Sequence, residues 1–162
     1  MEIERKFTIK QLPEDLDKYP CRRIEQGYLC HVPVIRIRRE DDEYYLTYKG
    51  SGMMAREEHN LPLNREAYYH LREKVDGKLI SKHRYLIPLL NPKALEGHPK
   101  PPKDYSLTIE LDVFDPPFAP LVIAEVEFGS KEAAESFLPP DWFDKDVTYC
   151  REYHNSNMAL QD

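Results

Sequence analysis

Charged side chains recur at every second position in five segments of this 162-residue chain. In an extended strand, successive side chains point to opposite faces, so residues at i and i+2 share one face. The residues that alternate with the charged ones are largely apolar. The five pairs are Glu2/Glu4, Arg36/Arg38, Lys82/Arg84, Glu110/Asp112 and Glu125/Glu127. Each segment is therefore predicted to be a strand with one charged face and one largely apolar face.

Solvent exposure is the ordinary explanation for a charged strand face, because charged residues are rarely buried. A two-layer domain would turn the apolar faces to a core and leave the charges in water. A sheet of seven or eight antiparallel strands, however, tends to curl or close, and closure creates an interior. If the apolar faces point outward beneath helices, the charged faces line that interior. We therefore predict an α+β, mainly β fold: a closed antiparallel β-barrel with a charged lumen and a few covering helices.

The remaining sequence is consistent with a single domain over residues 1–162. Residues 88–104, which are rich in proline and lysine, predict a long exposed hairpin loop. Residues 140–162 predict a C-terminal tail, irregular over 141–148 and ending in a short helix over 151–160.

Two covering helices are expected within the barrel sequence. Asn64 is the predicted N-cap of a helix over residues 65–75. Ser130 is the predicted N-cap of a second, short helix over residues 131–138.

The charge balance limits the partners of the chain. Its net charge is −6 and its isoelectric point is near 5.6. General nucleic-acid and membrane-surface binders present a basic footprint, so neither partner is expected, and an anionic ligand must be held by a local cluster. The three cysteines show no C-x-x-C spacing, which argues against a disulfide framework or a zinc site. Without a long apolar run or a signal peptide, a soluble cytoplasmic protein is expected.

The predicted lumen carries both signs of charge. Guanidinium groups fork onto phosphate oxygens and lysines supply point charges, so its basic residues favour a polyanion. Its carboxylates alone would repel such a ligand. Mg²⁺ or Mn²⁺ resolves the conflict, because such ions take oxygen ligands and bridge to substrate phosphates. The pattern therefore predicts metal-assisted phosphoryl chemistry.

These motifs, in this order, resemble those of the CYTH superfamily, the triphosphate tunnel metalloenzymes. The family signature E-x-E-x-K is present as Glu2-Ile-Glu4-Arg-Lys6. The later matches are R-x-R at Arg36/Arg38, a lysine at Lys49, K-x-R at Lys82/Arg84, E-x-D at Glu110/Asp112 and E-x-E at Glu125/Glu127. The tail around Trp142 and Asn155 is similar to that of compact single-domain bacterial members.

The resemblance implies an eight-stranded tunnel that uses Mg²⁺ or Mn²⁺ to hydrolyse the terminal phosphate of triphosphate substrates. The compact bacterial members act mainly on inorganic triphosphate. Thiamine triphosphatases and class IV adenylate cyclases belong to the same superfamily, and a homodimer is common among relatives.

The resemblance also assigns roles to individual residues. Metal binding falls to Glu2, Glu4, Glu125 and Glu127. Phosphate binding falls to Lys6, Arg36, Arg38, Lys49, Arg56, Lys82 and Arg84. The expected catalytic set is Glu2, Glu4, Lys6, Glu58, Glu110 and Asp112, without one residue singled out as the base.

Two positions depart from the family pattern, and other functions stay open. Asn60 and His154 stand where relatives usually have glutamate and lysine. A histidine that titrates near neutral pH would make substrate affinity depend on pH. The alternatives are ATP cyclisation, hydrolysis of thiamine triphosphate, and non-catalytic binding of polyphosphate or nucleotide. A structural barrel whose charges only pair with one another is a further alternative.

Overall fold

In the computed structural model, antiparallel strands form most of the chain and short helices lie outside them. The structure describes residues 1–161, so Asp162, the last residue of the predicted tail, lies outside the described residues. The strands are β1 (Glu2–Ile9), β2 (Cys21–His31), β3 (Val34–Glu40), β4 (Glu43–Lys49), β5 (Ala55–Arg56), β6 (Glu58–Leu63), β7 (Asp76–Leu90), β8 (Lys93–Ala94), β9 (Ser106–Phe114), β10 (Val122–Glu127), β11 (Phe137–Leu138) and β12 (Phe143–Asp146). The α-helices are α1 (Arg65–Arg72), α2 (Lys131–Ser136) and α3 (Asn155–Met158).

The long strands form a barrel in the order β1, β10, β9, β7, β2, β3, β4, β6. Every pairing along this path is antiparallel. Only Glu57 separates β6 from β5, and β5 pairs with β1 through Glu2↔Arg56 and Ile3↔Ala55. Strands β5 and β6 therefore act as one interrupted strand. Because β6 pairs with β4 and β5 pairs with β1, this strand closes the barrel. The predicted eight-stranded barrel is confirmed.

The outward faces of β1, β9 and β10 carry the larger apolar core. Phe7, Leu111 and Val126 are buried there against Phe137 and Phe143 from the C-terminal part of the chain. Burial of each such side chain contributes roughly 1.5–3 kcal/mol. Helix α2 covers this face, as predicted.

A second apolar cluster lies inside the barrel at one end. Its members are Tyr28, Val34, Ile80, Phe114, Ile123, Met158 and Ala159. Ile80, Phe114 and Ile123 each lie two residues from a charged lumen residue and so share its face. The lumen therefore changes from charged to apolar along its axis, and α3 closes the apolar end.

Both predicted N-caps are confirmed, although the helices are shorter than expected. Asn64 Oδ1 accepts a hydrogen bond from Ala67 N at 2.7 Å, and Ser130 Oγ accepts one from Ala133 N at 3.1 Å. Helix α2 ends early because Phe137–Leu138 pair with β8 instead. No helix among residues 1–161 is long and apolar enough to cross a membrane.

Three segments differ from the sequence expectation. Strand β7 runs from Asp76 to Leu90, whereas alternation predicted only residues 79–86. The loop predicted over 88–104 is therefore shorter, because residues 88–90 pair with β9 and β8 lies within the predicted range. The segment 141–148, expected to be irregular, contains β12, which extends the sheet at β1 through Phe7↔Asp146 and Ile9↔Phe143. The predicted helix over 151–160 is a 3-10 turn at Arg151–Tyr153 followed by α3.

Candidate active site

The charged part of the lumen forms a cavity with a deep and an outer region. The outer region is about 330 Å³, and the deep region is about 40 Å³. The deep region contains seven cationic side chains but only two carboxylates, Glu4 and Glu125. The seven are Lys6, Arg36, Arg38, Lys49, Arg56, Lys82 and Arg84. The structure thus brings every residue predicted to bind phosphate together around one cavity.

A buried ion-pair network joins β1, β7, β9 and β10. Lys6 Nζ lies 2.6 Å from Glu125 Oε1 and 3.4 Å from Glu4 Oε1. Arg84 binds Asp112 with two nitrogens, at 2.7 and 2.9 Å, and Glu110 with a third at 2.9 Å. Burial opposes ionisation of Glu125, but the charges of Lys6 and Arg84 hold its pKa well below the usual range. Glu125 is thus engaged by cations, and its predicted role as a metal ligand stays a prediction.

Lys82 is the most buried cation of the site, at 1% exposure. Its Nζ lies 2.8 Å from Asp112 Oδ2 and donates a hydrogen bond to Asn155 Oδ1 at 2.8 Å. Burial lowers the pKa of Lys82 to about 7, against the opposing attraction of Asp112 and with the help of the charges of Arg84 and Arg38. Lys82 therefore changes between ammonium and neutral amine near neutral pH.

Arg36 is buried without an acidic partner. Its Nη2 donates to Thr47 Oγ1 at 2.9 Å, and its Nε has no hydrogen-bond partner within residues 1–161. Thr47 donates onward to Asn60 Oδ1 at 2.6 Å. Asn60 is neutral, so this chain of hydrogen bonds does not neutralise the guanidinium. A buried unpaired charge is costly, which makes Arg36 a strong candidate to bind an anion.

Arg38 is held at two points by neutral groups. Its Nε donates to Gln26 Oε1 at 2.9 Å and its Nη1 donates to Tyr45 OH at 3.2 Å. Gln26 is fully buried, and its Nε2 donates to Tyr28 OH and Asn155 Oδ1. The guanidinium is thereby oriented while its Nη2 makes no hydrogen bond within residues 1–161.

Most of the predicted acidic residues lie toward the outer region. Lys49 Nζ donates a hydrogen bond to Glu2 Oε1 at 2.9 Å. The same nitrogen lies 3.6 Å from Glu58 Oε2. Burial raises the pKa of Glu2, and the neighbouring Glu58 carboxyl group raises it further. Burial also raises the pKa of Glu110 and of Glu127, with repulsion from neighbouring carboxylates adding to it. Neighbouring carboxylates therefore add to burial in disfavouring ionisation of Glu2, Glu110 and Glu127.

No three carboxylate, histidine or cysteine side chains among residues 1–161 already converge as a metal site. Glu4 and Glu127 are opposite one another in the β1–β10 register. Glu2, Glu4 and Glu125 line the cavity, whereas Glu127 is exposed at the end of β10 and outside its lining. Coordination of an ion by these four residues stays a prediction.

The C-terminal tail contributes side chains to the deep region. His154 Nε2 donates to Thr148 O at 2.8 Å, and the Lys6 backbone N–H donates to Thr148 Oγ1 at 3.0 Å. Burial lowers the pKa of His154, and the charge of Lys6 lowers it further. His154 is thus neutral at pH 7, and its effect on the pH dependence of affinity stays a prediction.

Sequence reasoning missed several neutral residues of the cavity. Gln26, Tyr28, Tyr45, Thr47 and Asn155 line it or orient its cations. Gln26 and Tyr28 share a strand face, and so do Tyr45 and Thr47, which is the one signal that could have revealed these four. Asn155 was noted only in the resemblance of the tail to bacterial members, which assigned it no role in the site. Arg56 was predicted, and its guanidinium donates twice to Gly50 O while facing the deep region.

Comparisons with known proteins agree with this geometry. A family model for the CYTH domain matches residues 1–96. The inorganic triphosphatase of Nitrosomonas europaea is 34% identical over 98% of this chain and 97% of that protein. The inorganic triphosphatase of Acetivibrio thermocellus is 32% identical over 98% of this chain and 92% of that protein. The crystal structure of the inorganic triphosphatase NE1496 superposes with a TM-score of 0.67 at 30% identity, covering 100% of this chain and 96% of that one.

The barrel, the order of its charged pairs and these full-length similarities lead to one conclusion. The resemblance predicted from the sequence is confirmed, and the chain belongs to the CYTH domain family.

Proposed function

We propose that this protein hydrolyses inorganic triphosphate to pyrophosphate and orthophosphate. The observation that carries the proposal is the deep cavity, which every cation predicted to bind phosphate lines and where buried Arg36 has no acidic partner among residues 1–161. A linear polyanion supplies the missing negative charge. The similarity to two proteins named inorganic triphosphatase supports the choice of substrate.

Glu2, Glu4 and Glu127 would hold Mg²⁺ or Mn²⁺, with Glu125 nearby. Their oxygen donors suit these ions. The pKa values of Glu2 and Glu127 are raised mainly by burial and in part by neighbouring carboxylates, and a bound cation would oppose both effects. When bound, the ion would neutralise phosphate oxygens. The side chains must move together to complete such a site, since within residues 1–161 they do not yet converge.

Lys82 is the residue best suited to accept a proton. As a neutral amine it has two hydrogens, and Asp112 and Asn155 provide two acceptors at 2.8 Å each. Its lone pair then remains for a water molecule. A general base works best when its pKa is close to the working pH, and the pKa of Lys82 is about 7.

The reaction follows from this arrangement. The basic side chains hold the triphosphate with its terminal group deep in the cavity. The water oxygen forms a bond to the terminal phosphorus as the bond to the bridging oxygen breaks. The proton of the water passes to Lys82, and pyrophosphate is the leaving group. Arg36 and Arg38 stabilise the charge on the transferring oxygens.

Phosphate release from inorganic triphosphate, with Mg²⁺ or Mn²⁺ present, tests the proposal. ATP and thiamine triphosphate serve as parallel substrates, and cyclic AMP is measured in the ATP reaction. We expect fast release from inorganic triphosphate and little from the other two. Folded protein that binds triphosphate without hydrolysing it would overturn the proposal and indicate a binding protein.

Lys82→Arg tests the role of the amine. Arginine keeps the positive charge but does not lose its proton near neutral pH. We expect the variant to bind triphosphate and to lose turnover by about 10²-fold or more. If the variant instead lost affinity for triphosphate by about 10²-fold and kept its turnover, Lys82 would be assigned to substrate binding alone.

The pH profile of the wild-type enzyme provides the second test. Lys82 is protonated and inactive below its pKa, so activity should rise with pH. In kcat/KM the rise should be centred near the free-enzyme pKa of about 7. In kcat it should lie at higher pH, because bound triphosphate favours the ammonium form.

A further inference from the structure

We propose that Asn155, at the start of the C-terminal helix α3, is a positioning residue that orients two cations of the cavity at once. This inference rests on the proposed hydrolysis and deepens it, since it assigns to the tail a part in the reaction.

The contacts of the Asn155 carboxamide carry the proposal. Its Oδ1 accepts hydrogen bonds from Lys82 Nζ at 2.8 Å and from Gln26 Nε2 at 3.2 Å. Both donors are almost fully buried, at 1% and 0% exposure. The Asn155 Oδ1 atom therefore links β7 to β2 inside the barrel, although Asn155 is distant from both strands in the sequence.

The first branch fixes the direction of the Lys82 amine. Asp112 and Asn155 take two of its hydrogens, so the remaining position, a lone pair or a third hydrogen, is set by both of them. Without Asn155, the amine could rotate about its last carbon–nitrogen bond with Asp112 as its one remaining partner. Proton transfer depends on alignment, so the tail sets the geometry of the step.

The second branch reaches Arg38 through Gln26. With its amide nitrogen held by Asn155 and by Tyr28 OH at 2.8 Å, Gln26 turns its oxygen toward Arg38 Nε at 2.9 Å. Asn155 in the tail thus helps to orient the Arg38 guanidinium through Gln26. This branch should affect substrate binding more than proton transfer.

The position of Asn155 is itself secured by packing. Met158 and Ala159, one turn further along, are buried against Ile80, Phe114 and other residues of the inner apolar cluster. Asn155 is 8% exposed and lines the deep cavity. The carboxamide therefore sits on a docked element and not on a free chain end.

The experiment compares Asn155→Asp and Asn155→Leu with the same changes at Asn157. Asn157 belongs to the same helix but is exposed, so its variants control for effects on α3. Other charged groups that act on Lys82 are Asp112 from β9, Arg38 from β3, Glu125 from β10 and Arg84 from β7. These are unchanged in all four variants, so a difference between the Asn155 and Asn157 variants reports the carboxamide.

We expect the two Asn155 variants to move the pH profile in opposite directions. Aspartate adds an anion beside Lys82 and should shift the rise in kcat/KM to higher pH by about one unit. Leucine removes an acceptor and should shift it to lower pH, with kcat reduced tenfold or more. Gln26→Leu should raise KM and leave the position of the rise unchanged. A structural role alone would lower activity without these shifts, and unshifted profiles would overturn the proposal.

A readout without turnover separates this inference from the proposed function. The titration of Lys82 can be followed by NMR of isotopically labelled lysine side chains in the wild type and the four variants. Opposite shifts in Asn155→Asp and Asn155→Leu would support the positioning role even for a wild-type protein that does not hydrolyse triphosphate. Identical titration curves in an active wild type would overturn the inference and leave the hydrolysis intact.

Discussion

Two buried arginines of the cavity have opposite consequences for stability. Arg84 is matched by Asp112, Glu110 and Glu125, whereas Arg36 has no acidic group within ion-pair distance among residues 1–161. Burial, with the neighbouring Arg38 charge, lowers the pKa of Arg36. The buried charge of Arg36 therefore lowers the free energy of unfolding of the ligand-free protein. This is expected for a residue whose charge is neutralised only when an anion binds.

Arg36→Met and Arg84→Met test this contrast. Removing the unpaired charge should raise the free energy of unfolding by about 1 kcal/mol while weakening triphosphate binding. Removing Arg84 should lower it by roughly 3–5 kcal/mol, because Asp112 loses its bidentate partner in a dry site. Urea denaturation without ligand measures both. A destabilised Arg36→Met protein would show that Thr47 and water already satisfy the guanidinium.

At the level of elements, the long strands of the barrel could be predicted from the sequence, whereas the structure of the C-terminal tail could not. The long strands alternate charged and apolar residues along most of their length, so their faces can be read locally. Strand β12 has the sequence Phe-Asp-Lys-Asp, which lacks that signal, and it forms because backbone groups of β1 remain free at Ile9 and Phe7. The place of Asn155 depends on packing between residues over 70 positions apart, which no local pattern encodes.

The docking of the tail depends on one glycine of β7. Gly77 has a φ of +70°, and a Cβ there would lie 2.1 Å from Ala159 O. Lys78 N donates to the same carbonyl at 2.8 Å. The absence of a side chain at Gly77 thus lets the end of the tail lie directly on the strand.

Gly77→Ala should release the tail, and Gly97→Ala is its matched control. Gly97 also has a positive φ, +84°, but a Cβ there meets nothing within 4 Å. Both variants bear the left-handed backbone cost of about 1–2 kcal/mol. We expect only Gly77→Ala to lose more stability than this and to reduce kcat as Asn155→Leu does. Equal denaturation midpoints and equal kcat values would show that the tail contact is dispensable.

For the whole molecule, the basic side chains of the deep region predict stabilisation by triphosphate, and the carboxylates beside them predict stabilisation by the metal. Triphosphate at 100 times its Kd should add about 2.7 kcal/mol. Thermal unfolding with triphosphate, with and without Mg²⁺ and a chelator, measures the effect. Chelation should remove activity and part of the stabilisation, and Glu4→Gln should make the protein insensitive to the metal. Full activity in the presence of chelator would contradict the proposed role of the carboxylates.

Within residues 1–161, Met158 and Ala159 at the end of α3 pack in the inner apolar cluster and fill one end of the barrel. We therefore expect the charged end to be the entrance to the cavity. Substrate must then enter, and both products must leave, through the same opening. If the terminal group binds deep in the cavity, as proposed, cleaved orthophosphate would lie behind pyrophosphate, so pyrophosphate should leave first and orthophosphate last. Orthophosphate should accordingly inhibit competitively against triphosphate, and pyrophosphate should inhibit non-competitively. A barrel that is filled at one end is thus expected to release its two products in a fixed order.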